Sequence, residues 1–292
     1  MFKTRKCRQY VRLVSLMFVP FAILGCATTT RNTTSVVDYL YPDSNKVETP
    51  SVPVLKPPLR VGIAFVPGVS PTHSSASTRV FLRSRGQFEL TEKKKLDLMR
   101  EVANHFKKYP VVKDIEIIPS AYLTPRGSFA NLDQIKTMYG ITVIALLSYD
   151  QTQFTDEGSL TLAYATIVGA FVVQGEKNDT HTMLDAVIYD IPSRKMLFRA
   201  PGTSLVKGSA TPINLSEQLR VDSEAGFNLA AREMISNLDL QLEAFRERAK
   251  EQPSEYKIQP TSQYRGGGAL DALAMVLFAG LGGGFLWLRR GA

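Results

Sequence analysis

The chain has 292 residues, 44% of them hydrophobic, and its 35 basic residues outnumber 27 acidic ones to give a net charge of +8. The basic excess lies mostly at the two ends: without the five basic residues of 1–25, Arg289, Arg290 and Asp271, 28 basic residues face 26 acidic ones. A body so close to neutral argues against a nucleic-acid-binding protein. The chain has two cysteines, and one of them, Cys7, lies in the segment expected to be removed, so a disulfide cannot stabilise the mature fold.

Residues 1–25 have the pattern of a secretory signal peptide. Basic residues come first, and Leu13 to Leu24 is then almost entirely apolar but too short to be a comfortable membrane span. The run ends in Leu24-Gly25-Cys26, which resembles the lipobox of bacterial lipoproteins. The resemblance implies cleavage by lipoprotein signal peptidase, acylation of Cys26 and attachment to the membrane through lipid; a chance cysteine is the alternative. Because Ala27, and not an aspartate, follows Cys26, we expect the outer membrane as the destination.

Residues 26–59 predict a flexible tether. The segment is rich in Thr, Ser, Asn and Pro and has little apolar periodicity, so it buries too little apolar surface to offset the entropy of ordering. A short element around Val36 to Tyr41 that docks onto the domain or a partner is left open.

Residues 60–250 predict a single α/β domain, and its first half alternates strands and helices. This β-α-β-α-β order predicts a sheet with parallel pairs and right-handed crossovers. The predicted elements are a strand at 60–66, a helix at 91–108 capped by Thr91, a strand at 115–118, a helix at 131–139 closed by Gly140 and a buried strand at 141–148.

The second half of the domain predicts consecutive hairpin strands and then a long helix, which makes the sheet mixed. An α+β fold stays open as the alternative, and 163–173 would also suit a buried helical segment. The predicted strands are 160–174, 182–190 and 195–199. The helix spans 215–250, continuous or broken near Gly226, with an inner face of Leu229, Met234, Leu238, Leu242 and Phe245. Residues 251–265 predict a linker.

The body contains none of the common catalytic or nucleotide-binding motifs, and the chain has only three histidines. We therefore expect a non-enzymatic domain without cofactor or metal. An envelope hydrolase is the alternative, for which Glu176, Asp179 and His181 form the one candidate cluster, with Asp179 and His181 on the same face of an extended chain; a hydrogen-bonded hairpin end is the favoured explanation of these residues. Arg83 and Arg85 are candidates for contact with an anionic partner such as lipopolysaccharide.

Residues 266–292 predict a second membrane signal. Ala269 to Leu288 comprises 20 residues with Asp271 as the only charge, and it would reach about 30 Å as a helix, enough to span a bilayer. Arg289 and Arg290 would stop transfer and remain in the cytoplasm. Since the signal peptide also starts in the cytoplasm, the body is expected in the periplasm or beyond.

The glycine run Gly266, Gly267 and Gly268, followed by this helix and an arginine pair, resembles the GlyGly-CTERM sorting signal. The resemblance implies cleavage by rhombosortase, a rhomboid-like intramembrane protease. Glycine is a poor helix former, and a protease needs extended backbone. An ordinary tail anchor behind a flexible linker is the alternative.

A lipobox paired with this C-terminal signal resembles the rhombotarget lipoproteins. The resemblance implies loss of the C-terminal helix, retention of the lipid, and transfer from the inner to the outer membrane. For the body we expect a binding or assembly module with an envelope protein partner. An inner-membrane protein anchored at both ends is the alternative. The stretch Met138 to Ile144 also resembles the periplasmic domains related to the curli secretion factor and penicillin-binding-protein activators.

Overall fold

The structure is a computed structural model that describes residues 28–42, 48–68, 90–157, 176–211, 213–262 and 264. The strands are β1 Thr28–Thr33, β2 Val54–Leu55, β3 Leu59–Phe65, β4 Val112–Ile118, β5 Val143–Glu157, β6 Glu176–Asp190, β7 Lys195–Ala210 and β8 Lys257–Ile258. The helices are α1 Val36–Leu40, α2 Glu92–Phe106, α3 Ser128–Tyr139 and α4 Leu215–Glu251.

Six strands form one mixed sheet in the order β4-β3-β5-β6-β7, with β1 also paired to β5. Strand β3 runs parallel to both β4 and β5, whereas β5, β6 and β7 are successive antiparallel strands. Strand β3 pairs with the first part of β5, and β1 takes the same side farther along, where Thr28 lies opposite Thr155. The predicted α/β class with a mixed sheet is confirmed.

Helices cover both faces of the sheet. The chain crosses from β3 to β4 and then back past β3 to β5, so two right-handed crossovers place their helices on opposite faces. Helices α2 and α4 lie on one face, where α2 contributes Met99 and Val102 to the core. Helices α3 and α1 lie on the other, where Phe129 of α3 and Tyr39 of α1 are buried. Helix α3 starts at Ser128, three residues before its predicted start, and ends at Tyr139 as predicted. It is capped by Gly140, whose φ of 63° favours glycine.

Strand β5 is 15 residues long and continues well beyond its predicted end at Ser148. The added part is polar, but its inward-facing Gln151 and Gln153 are buried. The Gln153 amide donates to the Leu219 carbonyl at 3.0 Å and to Ser223 Oγ at 2.8 Å, both in α4. These bonds satisfy the buried amide, so a polar sequence continues the strand where an apolar pattern stops.

Helix α4 is one continuous helix of 37 residues, so the break considered near Gly226 does not occur. The helix passes so close to the sheet there that a Cβ on Gly226 would lie 2.7 Å from Thr182 Oγ1. The glycine therefore permits close packing and does not interrupt the helix. Met234 and Leu238 face the core as predicted, whereas Leu229 is exposed and Phe227 takes the inward position.

The segments predicted as tether and linker both contribute to the folded body. Within 26–59, β1 pairs with β5 and α1 buries Tyr39, whose hydroxyl donates to Asn131 Oδ1 at 2.8 Å. Within 251–265, β8 pairs in parallel with β2 and Tyr256 is buried. Helix α1 is the docking element that the sequence left open around Val36 to Tyr41, whereas β1 and β8 form in stretches predicted as flexible tether and linker. Both segments are polar on average, so their composition did not show that a few large apolar side chains, spaced between polar ones, pack into the core.

No helix in the parts of the chain that the structure describes is long and apolar enough to cross a bilayer. The signal peptide, Cys26, the predicted strand 160–174, Gly266 to Gly268 and the predicted helix 269–288 with its arginine pair all lie outside the described residues.

Candidate functional site

An apolar cavity of about 710 Å³ lies between the sheet and the two helices α2 and α4. Its floor is the inner face of the central strands, including Ile63, Ala145, Leu147, Ala186 and Ile188. Alternate residues of β5 and β6 point to this face, and small alanine side chains there leave room above the sheet. Ligand pockets in proteins range over roughly 300–1,000 Å³ and are mostly apolar, so this cavity has the size of a binding site.

The two helices form the walls of the cavity. Val102 and Phe106 project from α2, and Leu238, Leu242 and Phe245 project from α4. Both sets follow the spacing of one helix face, which is why helices from distant parts of the chain present matching apolar walls.

One rim of the cavity carries charge. Arg246 and Lys250 line it and are exposed, as are Ile258 and Pro260 of the C-terminal segment. The Arg246 guanidinium donates to Glu243 at 2.7 Å, and the Lys250 amine donates to Glu247 at 2.8 Å. The rim of α4 therefore presents alternating acidic and basic groups beside an apolar interior.

The C-terminal segment holds this rim in place. Tyr256 contacts Phe245 edge to face with ring centroids 5.3 Å apart, and the Lys195 amine lies 4.4 Å from the centre of the Tyr256 ring. Lys195 also donates to Glu255 at 3.2 Å. Because Phe245 is itself a wall residue, these contacts fix the wall, the rim and the end of the described chain relative to one another.

A polar cluster joins the two helices beside the cavity. Asp239 of α4 accepts a hydrogen bond from the Tyr109 hydroxyl at 2.6 Å and lies 2.7 Å from His105 Nε2 at the end of α2. The bond to Asp239, with partial burial, raises the pKa of Tyr109 to about 12. Partial burial disfavours the Asp239 carboxylate, but its bonds to Tyr109 and His105 outweigh that effect and lower its pKa. The cluster fixes the spacing of α2 and α4.

The enzyme alternative gains no support from the residues on which it rested. Asp179 and His181 share one face of β6, and His181 is exposed and meets the Phe154 ring edge-on with centroids 5.5 Å apart. The side chain of Glu176 is not described, and the cavity lining does not include His181. Across the described ranges, no three His, Cys, Asp or Glu side chains are placed to hold a metal ion. Arg83 and Arg85 lie outside those ranges.

The sequence did not reveal the cavity. Its lining combines Val102, Leu242 and Ile258, which are far apart in the chain, and each of them alone reads as an ordinary core or linker residue. The one available signal was the pair of alanines in otherwise large-residue strands, Ala145 and Ala186, and that signal is weak.

No protein-family model matches the chain, and no curated protein matches it. Among solved structures it is similar to a dodecameric PelC variant from Paraburkholderia phytofirmans, at 9% sequence identity and a TM-score of 0.25, over 72% of this chain and 99% of that chain. So weak a likeness says nothing about what this chain binds or does.

Proposed function

We propose that the chain is an envelope lipoprotein acylated at Cys26, whose C-terminal helix 269–288 is removed by a rhomboid-like protease at Gly266 to Gly268. The order of the two signals supports this proposal, because each starts or ends in the cytoplasm and leaves the body between them on the far side of the inner membrane. Acyl chains alone then hold the protein, at about 0.8 kcal/mol per buried CH₂, and permit transfer to the outer membrane.

The body of this lipoprotein is a binding module for an apolar molecule. The single observation that supports this function is the apolar cavity of about 710 Å³ beneath α2 and α4. A void of this size is costly if nothing fills it, because its lining loses dispersion contacts. Binding an apolar ligand would restore those contacts, and a few polar groups at the rim would orient the ligand.

Mass spectrometry of the protein from growing cells tests the sorting half of the proposal. We expect an acylated Cys26 at the new N-terminus and a C-terminus within or next to Gly266 to Gly268. A mature chain that still ends in Arg289, Arg290, Gly291 and Ala292 would contradict processing, and an acylated chain of that kind would fit a permanent inner-membrane protein.

Binding of a fluorescent naphthylamine dye to the purified mature protein tests the binding half. We expect saturable binding of one dye per chain. Replacement of Ala249, which lines the cavity, by Phe should weaken binding at least tenfold, because the ring would occupy the rim. The matched control is Ala244→Phe on the exposed side of the same helix, which should bind like the parent. Equal loss of binding in both variants would contradict binding in the cavity.

A further inference from the structure

The two membrane attachments leave the folded body at opposite ends of strand β5. At the N-terminal side, Thr28 of β1 lies opposite Thr155, near the far end of β5. At the C-terminal side, the backbone amide of Thr261 donates to the Pro57 carbonyl at 2.9 Å, just before β3. Because β3 places Val61 opposite Val143, the C-terminal side leaves near the start of β5.

The distance between these two exits is much larger than the length of either segment that connects an exit to its membrane anchor. The twelve steps from Val143 to Thr155 cover about 40 Å at the rise of an extended strand. Cys26 lies two residues before Thr28, and Ala269 lies five residues after Tyr264, so the fully stretched connections add about 7 Å and 18 Å. The longer connection, about 18 Å, sets the largest difference in height between the two exits, and it is well short of 40 Å.

While both anchors are intact, the body therefore cannot stand upright on the membrane. A difference in height of at most about 18 Å over 40 Å inclines β5 by no more than about 27° to the bilayer plane. The cavity rim with Ile258, Pro260 and Tyr264 belongs to the end from which the C-terminal anchor leaves, so it is held within reach of the lipid headgroups.

The chemistry of the rim matches a phospholipid headgroup. Arg246 and Lys250 would meet a phosphate, and the neighbouring Glu243 and Glu247 would meet an ammonium group, while the cavity behind them offers apolar walls to an acyl chain. A free fatty acid has the chain and one negative charge but no group for the glutamates. The alternating acidic and basic side chains of this rim therefore favour a zwitterionic phospholipid over a fatty acid.

From this geometry we infer that the cavity takes up one acyl chain of a zwitterionic phospholipid from the bilayer while both anchors hold its rim at the membrane. The inference rests on the proposed function, because it requires the anchor at Cys26 and the helix 269–288. Removal of the helix frees the rim end, which carries the cavity and its lipid away from the inner membrane.

Photo-crosslinking in vesicles tests this inference. Full-length acylated protein, made in a host without the processing protease, is reconstituted into phosphatidylethanolamine and phosphatidylcholine vesicles that contain a phosphatidylcholine with a photoreactive acyl chain. We expect adducts on α2 and α4 residues that line the cavity. Labelling should fall at least tenfold in Ala249→Phe and stay unchanged in Ala244→Phe. It should also fall at least fivefold in an acylated chain that ends at Tyr264, because its rim is no longer held at the bilayer.

Intact mass, measured before irradiation, separates this test from a test of the proposed function. A chain without acyl groups on Cys26 contradicts the lipoprotein assignment itself. For the chain with both anchors, three results overturn the inference: no cavity adduct, adducts on the outer surface alone, or labelling by a photoreactive fatty acid but not by the phospholipid. Labelling of the chain that ends at Tyr264 to the same extent as the full-length chain would also overturn it. Circular dichroism of Ala249→Phe confirms that the variant is folded, and a smaller cavity variant, Ala249→Leu, repeats the test with less added volume.

Discussion

Filling the cavity should stabilise the protein, and Ala145→Leu is the clearest way to test this. Ala145 lies on the cavity floor in β5 and keeps 7% of its surface exposed, so part of the side chain faces the empty space. In a close-packed core, a larger side chain at such a position would collide with its neighbours. Here the added carbons would enter an empty volume of about 710 Å³.

The expected gain follows from the area removed from water. Leucine carries three more carbon groups than alanine, and at about 0.8 kcal/mol for each buried group the upper limit is about 2.4 kcal/mol. Since 1 kcal/mol moves the unfolding temperature of a domain of this size by about 2–4 °C, the midpoint should rise by about 5–10 °C.

Thermal and urea unfolding of the detergent-solubilised mature protein, followed by far-ultraviolet circular dichroism, would measure the change. Ala64→Leu is the matched control, because Ala64 also lies in a central strand but is fully buried on the opposite face among large side chains. That variant should lose about 1–3 kcal/mol. If Ala145→Leu were destabilised as much as Ala64→Leu, the space above β5 would not exist and the binding proposal would lose its basis.

Two further substitutions test hydrogen-bonded charges on either side of the sheet. Tyr109→Phe removes the bond to Asp239 and should cost about 0.5 kcal/mol at this half-buried site, where solvent weakens the bond. Because the folded pKa of Tyr109 is raised to about 12, the bond stabilises the protein below about pH 10. The difference in urea midpoint from the parent should therefore vanish as pH rises from 10 to 12, and a constant difference would count against the bond. Arg199→Met leaves the buried Asp185 carboxylate, 2.8 Å from the Arg199 Nε in the parent, without its partner. Burial already raises the pKa of Asp185 despite Arg199, so ionisation lowers stability, and the variant should lose about 2 kcal/mol at pH 7 but little near pH 4. Equal losses at both pH values would contradict this account.

The sequence predicted those elements whose side-chain pattern reflects a simple environment. The start of β5 is apolar because helices cover both of its faces, and α2 shows one apolar stripe because only one face is buried. The far half of β5 follows neither rule. Gln151 and Gln153 are buried because the backbone of α4 passes above them, and that requirement is invisible until both elements are placed.

The candidate site depended even more on tertiary structure. A cavity is defined by volume that no side chain occupies, and a sequence records only the side chains that are present. Ile258 was assigned to a linker, yet it lies at the rim because β8 pairs with β2. The membrane signals are the opposite case, because peptidases recognise them as short local motifs that a sequence shows directly. They lie outside the described residues, so their roles stay predictions.

The pairing of β2 with β8 determines what cleavage at the glycine run would leave behind. This two-stranded clasp, together with Tyr256 and the bond from Thr261 to Pro57, lies wholly upstream of Gly266. A cut at the glycines would therefore leave all of these contacts in place. The released particle would keep the β2–β8 pairing that holds the cavity rim, so the shape of the rim would be the same before and after cleavage.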